Sequence, residues 1–220
     1  MPGPQGEVPN LDAAFIKALE ACITPPLNPL PAPQGGEAPS LRSGEGGGRG
    51  EDAPATHRSE GRGWRPEDVF HYIYAVLHDP IYRKKYAAFL KMDFPRIPLP
   101  QNADHFRRMV SLGEQLVQAH LLKGFTGRDL VTRYPIGGTD QVEKPYPKHE
   151  ADRVRINSTQ YFEGIPESLW TMQIGGYQVL EKWLKDRQGR MLSADEITHY
   201  QKIVVALLRT QAIMREMETA

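Results

Sequence analysis

The sequence has almost no cysteine. Cys22 is the single one in 220 residues, which excludes an internal disulfide and any multi-cysteine zinc site. A lone thiol fits a reducing compartment. Neither sign of charge is in excess, since 27 Lys and Arg balance 27 Asp and Glu, so no global positive field draws the chain toward phosphate. Any contact with nucleic acid has to come from a local patch. No run approaches the roughly 18 apolar residues of a membrane span, and the segment after Met1 has neither a charged start nor a continuous apolar stretch. These absences point to a cytoplasmic protein with no membrane partner. The length suits one core of ordinary size with a tail or a small accessory lobe.

The signatures of catalysis are missing too. A magnesium-dependent nuclease of the common kind places an acidic residue two before a lysine, and neither Asp-X-Lys nor Glu-X-Lys occurs. There is no Gly-X-X-X-X-Gly-Lys-Ser/Thr loop for ATP and no Gly-X-Ser-X-Gly elbow for a serine nucleophile. Amino-methyltransfer to a flipped base needs a glycine-rich turn for the methyl donor and an Asn/Asp-Pro-Pro-aromatic loop, and both are absent. His71, His78, His105, His120 and His199 fall on predicted helices without His-X-X-X-His spacing, so they read as packing or surface residues rather than metal ligands.

What is present sorts into three parts. Residues 1–24 hold a short helix at 9–22, capped by Asn10, with Leu11, Phe15 and Leu19 on one stripe. From 25 to 63, 16 of 39 residues are Pro or Gly and little remains to form a core, the composition of a disordered insertion. Residues 64–217 read as the folded domain. Pro66 opens a helix with Phe70, Ile73, Tyr74 and Leu77 on its apolar face, and Asp79-Pro80 stops it and starts a second helix reaching Met92. Alternating prolines make Phe94-Pro95-Arg96-Ile97-Pro98-Leu99-Pro100 a stiff extended connector. Asn102 caps a helix over 103–122 with Phe106, Met109, Val110, Leu116, Val117 and Leu121 as its stripe. Short strands and turns are expected over 124–168, with β-prone stretches at 130–136 and 153–157, then a strand at 169–174 and a helix at 177–187 ended by Gly189. Ser193 and Glu196 form a capping box for a long final helix whose stripe is Ile197, Tyr200, Val204, Leu207 and Met214. The fold class is α+β, with helices packed around a small interrupted sheet and a long C-terminal helix.

Five blocks of the domain carry a resemblance. They are Val69-Phe70-His71-Tyr72-Ile73-Tyr74-Ala75-Val76-Leu77-His78-Asp79-Pro80, then Asp93-Phe94-Pro95-Arg96-Ile97-Pro98-Leu99-Pro100, then Ile156-Asn157-Ser158-Thr159-Gln160-Tyr161-Phe162-Glu163-Gly164-Ile165-Pro166. Gln173-Ile174-Gly175-Gly176-Tyr177-Gln178-Val179-Leu180-Glu181-Lys182-Trp183-Leu184-Lys185-Asp186-Arg187 and Glu196-Ile197-Thr198-His199-Tyr200-Gln201-Lys202-Ile203-Val204 follow in order. Together they resemble the C-terminal specificity region of type ISP restriction-modification enzymes, single chains that combine a nuclease, a helicase-like ATPase, an adenine-N6 methyltransferase and a target recognition domain. The segment Pro9-Asn10-Leu11-Asp12-Ala13-Ala14-Phe15 resembles the family's approach to that domain. The resemblance implies recognition of a site in double-stranded DNA on behalf of methyltransferase, helicase and nuclease parts that are missing here. It also implies that S-adenosylmethionine, ATP and magnesium belong to those parts, with no cofactor in this chain. A protein-interaction remnant without DNA affinity, left by gene breakage, is the competing reading.

Target recognition domains read bases with a few side chains, Arg or Lys toward guanine and Asn or Gln toward adenine, while phosphate contacts set position. Lys144, Lys148, Arg153, Arg155, Asn157 and Gln160 offer those chemistries within one stretch interrupted only by Glu150 and Asp152, and form the leading DNA-facing candidates. Arg83, Lys84 and Lys85, with Lys91, form a second candidate patch for backbone phosphates, against the alternative of a solvated helix face. Tyr161, Tyr177 and Trp183 read as packing residues. Arg96 either reaches DNA or braces the join to a neighbouring domain.

Overall fold

The computed structural model describes residues 13–23 and 64–218. The Asn10 cap and the expected disorder of 25–63 lie outside the described residues. Seven α-helices and five short strands follow in the order α1 (Ala13–Ile23), α2 (Pro66–His78), α3 (Pro80–Lys85), α4 (Ala103–His120), β1 (Lys148–Glu150), β2 (Arg153–Arg155), β3 (Tyr161–Glu163), α5 (Glu167–Trp170), β4 (Gln173–Ile174), β5 (Tyr177–Gln178), α6 (Val179–Lys185) and α7 (Ala194–Glu218). The class is α+β, as the sequence indicates.

The helix starts obey local chemistry. The Asp79 carboxylate accepts from the Ile81 amide at 2.8 Å with Pro80 in the first helical position, and the Asn102 side chain accepts from the His105 amide at 2.8 Å. At α7 the capping box closes both ways, Ser193 N–H to Glu196 at 3.1 Å and Glu196 N–H to the Ser193 hydroxyl at 3.2 Å. The backbone amide of Ser193 is the leading cause that holds the Glu196 carboxyl below its ordinary pKa. The proline connector is extended and pinned from below: Tyr72 donates to the Pro98 carbonyl at 2.9 Å and Tyr82 to that of Arg96 at 2.8 Å.

Helix faces depart from the apolar spacing. The buried side of α2 is Val69, Tyr72, Ala75 and Val76, whereas Phe70, placed in the stripe by sequence, is 52% exposed. α2 is apolar around most of its circumference, so periodicity alone does not choose a face, and α4 chooses it. The two helices touch at Gly113, where a Cβ would lie 1.9 Å from the His71 carbonyl oxygen. Likewise α4 buries Leu112 and Ala119 and leaves Leu121 exposed. The helix expected to reach Met92 ends at Lys85, with a single 3-10 turn at Phe89–Lys91 beyond it.

The strand expected at 169–174 is shorter: Leu169 and Trp170 end a helical turn and only Gln173–Ile174 are strand. Pro166 starts a turn in which the amides of Leu169 and Trp170 bond back to its carbonyl, leaving only Gln173–Ile174 extended. Gly175 and Gly176, with φ of 60° and 83°, then make a two-residue hairpin to Tyr177–Gln178. The larger sheet has the order β1-β2-β3, antiparallel throughout, with Lys148 opposite Arg155 and Arg155 opposite Tyr161.

α7 is the spine. Its 25 residues extend for roughly 37 Å at the usual rise per residue. Its far end, through Ile213 and Met217, packs with Leu19, Val69, Tyr72, Tyr82 and Phe106 in a helical core. Its near end, through Tyr200, Val204 and Leu207, packs with Val154, Phe162, Leu180 and Leu184 beneath the sheet. Ala119, Phe125, Val205 and Ala206 join the two in the middle.

Candidate nucleic-acid interface

Strand alternation sorts the larger sheet into two unlike faces. His149, Val154 and Phe162 are cross-strand neighbours pointing into the core, with Val154 and Phe162 fully buried. On the opposite face Lys148, Arg155 and Tyr161 form one row. Glu150, Arg153 and Glu163 form the next, extended by Arg133 through its bridge to Glu163. Four cations thus share a surface with two carboxylates, and the net excess is positive.

The cations are held in place rather than free. Arg153 bonds Glu163 at 2.9 Å and lies 4.6 Å above the Tyr161 ring, and Arg155 bonds Glu150 at 2.7 Å with its guanidinium 5.7 Å from the same ring. Arg133 reaches Glu163 at 3.2 Å with its side chain 80% exposed. The Glu163 hydrogen bond is the leading cause that raises the Arg153 pKa above its ordinary value, so its charge is permanent. Lys148 lies 5.6 Å over the Tyr146 ring. Exposed pairs of this kind add little stability, but they pre-orient guanidinium groups above a flat surface, which suits a ligand lined with phosphate or base edges.

Of the residues chosen from sequence, Lys148, Arg153 and Arg155 converge on this face, and Lys144 lies exposed just ahead of β1. Asn157 and Gln160 do not join them: they are 3% and 0% exposed. Their amides are engaged internally, Asn157 with Gln160, Gln141 and Thr159, and Gln160 with Ile136 and Asp140. Surface-reading roles for these two are therefore corrected, because a buried amide is stable only when its donors and acceptors are matched inside. Arg83, Lys84 and Lys85 belong to the other half. Tyr82 of their helix packs with Ile213 and Met217, roughly 20 Å along α7 from the residues beneath the sheet. The structure does not bring the two basic groups together.

Arg133 and Tyr161 are the members of the face that sequence reasoning missed. The alternation 148/150, 153/155 and 161/163 was the available signal, hidden by strands of only three residues. Tyr177, read as a packing residue, is 62% exposed beside Lys182, whereas Trp183 does pack, against Tyr200 and under the Arg187 guanidinium at 3.6 Å. Arg96 lies 5.4 Å over the Phe89 ring. Among the described residues no group of three or more His, Cys, Asp or Glu could hold a metal, and no helix is long and apolar enough to cross a membrane.

Fold and face together define an α+β domain with a positively biased sheet surface carried on a long helical spine. The chain belongs to the Type ISP C-terminal specificity domain family, whose model matches residues 3–216. Among solved structures it is similar to the type ISP restriction-modification enzyme LlaGI, a nuclease-deletion mutant in complex with a DNA substrate mimic. Identity there is 26% and the TM-score 0.53, over 68% of this chain and 13% of that one. It shares its fold with the ATP-dependent type ISP enzyme LlaBIII bound to DNA, at 19% identity and a TM-score of 0.55 over 70% and 11% of the two chains. The DrdV–DNA complex matches at 23% identity and a TM-score of 0.50 over 70% and 17%. The chain thus spans between 11% and 17% of the length of these relatives. A comparison with curated proteins gave no match.

Proposed function

We propose that this chain is the DNA target recognition module of a type ISP restriction-modification system, presenting a specific double-stranded site to an adenine-N6 methyltransferase and nuclease assembly. The observation that carries the reading is the face of the three-stranded sheet, where Lys148, Arg153, Arg155 and Arg133 stand in register above a packed core. Oriented guanidinium groups at strand positions supply bidentate donors for guanine edges and phosphates alike. Membership of a specificity-domain family, and the DNA bound in the related enzymes, support the same conclusion. On this reading S-adenosylmethionine, ATP and magnesium act in enzyme parts to which this chain does not correspond, and this chain contributes position and sequence choice.

The test is titration of the chain against labelled duplexes of random and varied sequence, alone and together with the methyltransferase portion of a related enzyme. Binding is expected to weaken steeply with salt, because several phosphates are neutralised at once. Addition of the catalytic portion is expected to tighten binding to a subset of sequences. Absence of duplex binding under both conditions at low salt overturns the proposal.

A further inference from the structure

Gln160 is a fully buried polar side chain, and what it holds is a loop. Its Nε2 donates to the Ile136 carbonyl at 3.1 Å and to the Asp140 carboxylate at 2.6 Å, while its Oε1 accepts from the Asp140 amide at 2.8 Å. One side-chain amide therefore clasps the carbonyl at one end of residues 136–140 and the N–H at the other, as a strand partner would. Asn157 fixes the clasp from behind, donating to Gln160 Oε1 at 2.9 Å and accepting from the Gln160 backbone N–H at 2.7 Å. Tyr134 donates to the same Asp140 carboxylate at 3.0 Å, so that negative charge is engaged inward.

The consequence for the residues between is geometric. With both ends turned inward, Gly137, Gly138 and Thr139 bulge outward and are all exposed. Among the described residues no hydrogen bond engages the three amides. A Cβ on Gly138 would meet the Gln160 side chain at 2.7 Å, so loop or clasp would have to shift, whereas a Cβ on Gly137 would have nothing within 4 Å. The loop leaves Arg133 three residues earlier, and Arg133 bridges Glu163 in the row that holds Arg153. These amides are exposed, two of the three residues carry no side chain, and the loop follows closely on Arg133, so an anion can approach the backbone next to a guanidinium group.

We propose that residues 137–139 grip a phosphate of the DNA backbone through their peptide amides, and that Gln160 and Asn157 are positioning residues that hold this loop in its gripping shape. The inference rests on the DNA-recognition reading above and deepens it. The two buried amides act on DNA through the loop and not by touching bases. The contact is sequence-independent, and it sets the register in which the sheet cations meet the groove.

Four variants of the full chain, titrated against one labelled random-sequence duplex over a range of salt, test this. Gly137→Asp places a carboxylate at the loop tip where space is open, so the fold is retained while phosphate is repelled. Affinity is expected to fall roughly tenfold, and the magnitude of the salt slope by about one. Gly138→Ala displaces the loop from the clasp, and Gln160→Glu removes the donor to Ile136 and sets two carboxylates against each other. Both are expected to show the same reduced slope, and Gly137→Arg is expected to bind more tightly than the parent. Thermal unfolding separates loop displacement from global loss for the Gly138 and Gln160 variants, and Gly137→Asp decides the matter if those two fail to fold. Unchanged affinity and slope in Gly137→Asp, with the parent binding duplex, overturn the inference alone. A parent chain without duplex affinity overturns the DNA-recognition reading itself.

Discussion

In the helical half, polar side chains turn inward and join helices; in the sheet half, most turn outward and are held in register. Tyr74 of α2, His120 of α4 and Thr210 of α7 form a relay, at 2.6 Å between Tyr74 and His120 and 2.9 Å between His120 and Thr210. Thr210 donates its hydroxyl to the Ala206 carbonyl at 2.8 Å, so it accepts from His120 Nε2–H, and the Tyr74 hydroxyl donates to Nδ1. The imidazole is neutral with one tautomer. Desolvation first, and then the neighbouring His78, lower its pKa to about 4. The sheet half keeps its cations at the surface, and the polar groups it buries are neutral, Asn157, Gln160, Thr132 and Gln201. A charge that must meet a ligand has to keep its hydration until contact, whereas a neutral dipole can be buried once its bonds are matched.

Each half can be broken separately. The largest effect is expected for Phe162→Ala, since this fully buried ring lies 4.4 Å from Tyr200 and 4.7 Å from Tyr134. A loss of about 4 kcal/mol in urea unfolding is expected, and a loss below about 1 kcal/mol would mean that the sheet half is not packed on this ring. In the helical half, Gly113→Ala forces apart α2 and α4 and is expected to lose about 3 kcal/mol, measured the same way. If the halves behave as one cooperative unit, both variants unfold in a single transition by fluorescence and by far-ultraviolet dichroism.

Acid sharpens the contrast. A histidine whose folded pKa is depressed binds more protons when unfolded, so its stabilising contribution is complete above the ordinary value of 6.5 and is lost as pH falls toward 4. His78, also lowered by burial, acts in the same direction. Allowing for partial exposure of His120, a loss of about 1–2 kcal/mol between neutral pH and pH 5 is expected. His120→Gln is expected to be less stable at neutral pH and to flatten this dependence; an unchanged slope would remove the relay from the account. The smallest stability effect is expected on the sheet surface. Arg155→Ala is expected to change unfolding by less than about 1 kcal/mol, yet to weaken duplex binding severalfold and reduce the salt slope by about one. Lys84→Ala, in the other half, is expected to leave binding near the parent level, and the reverse ranking would move the interface to α3.

Much of the helical half was legible because its signals are local. Asn102, Asp79-Pro80 and the Ser193/Glu196 pair act within three residues of the groups they cap, so the chain alone dictates where α3, α4 and α7 begin. The connector at 93–100 is likewise dictated by its own prolines. The sheet was legible only as a region, because three-residue strands carry too little alternation to show their register.

Tertiary structure decided the rest. α4 selected the buried side of an α2 that is apolar nearly all round, and left Phe70 outside. Gln160 looked like an adenine reader beside Arg153 and Arg155, but its partners Ile136 and Asp140 lie 24 and 20 residues away, and only chain return made it a buried clasp. Arg133 entered the basic row by the same return, through a single bridge to Glu163. Local chemistry determined where elements start and stop, because a cap and its partner are neighbours in the chain. Which polar groups stay at the surface and which disappear into the core was decided by contacts between distant residues, and the sequence holds no period for those.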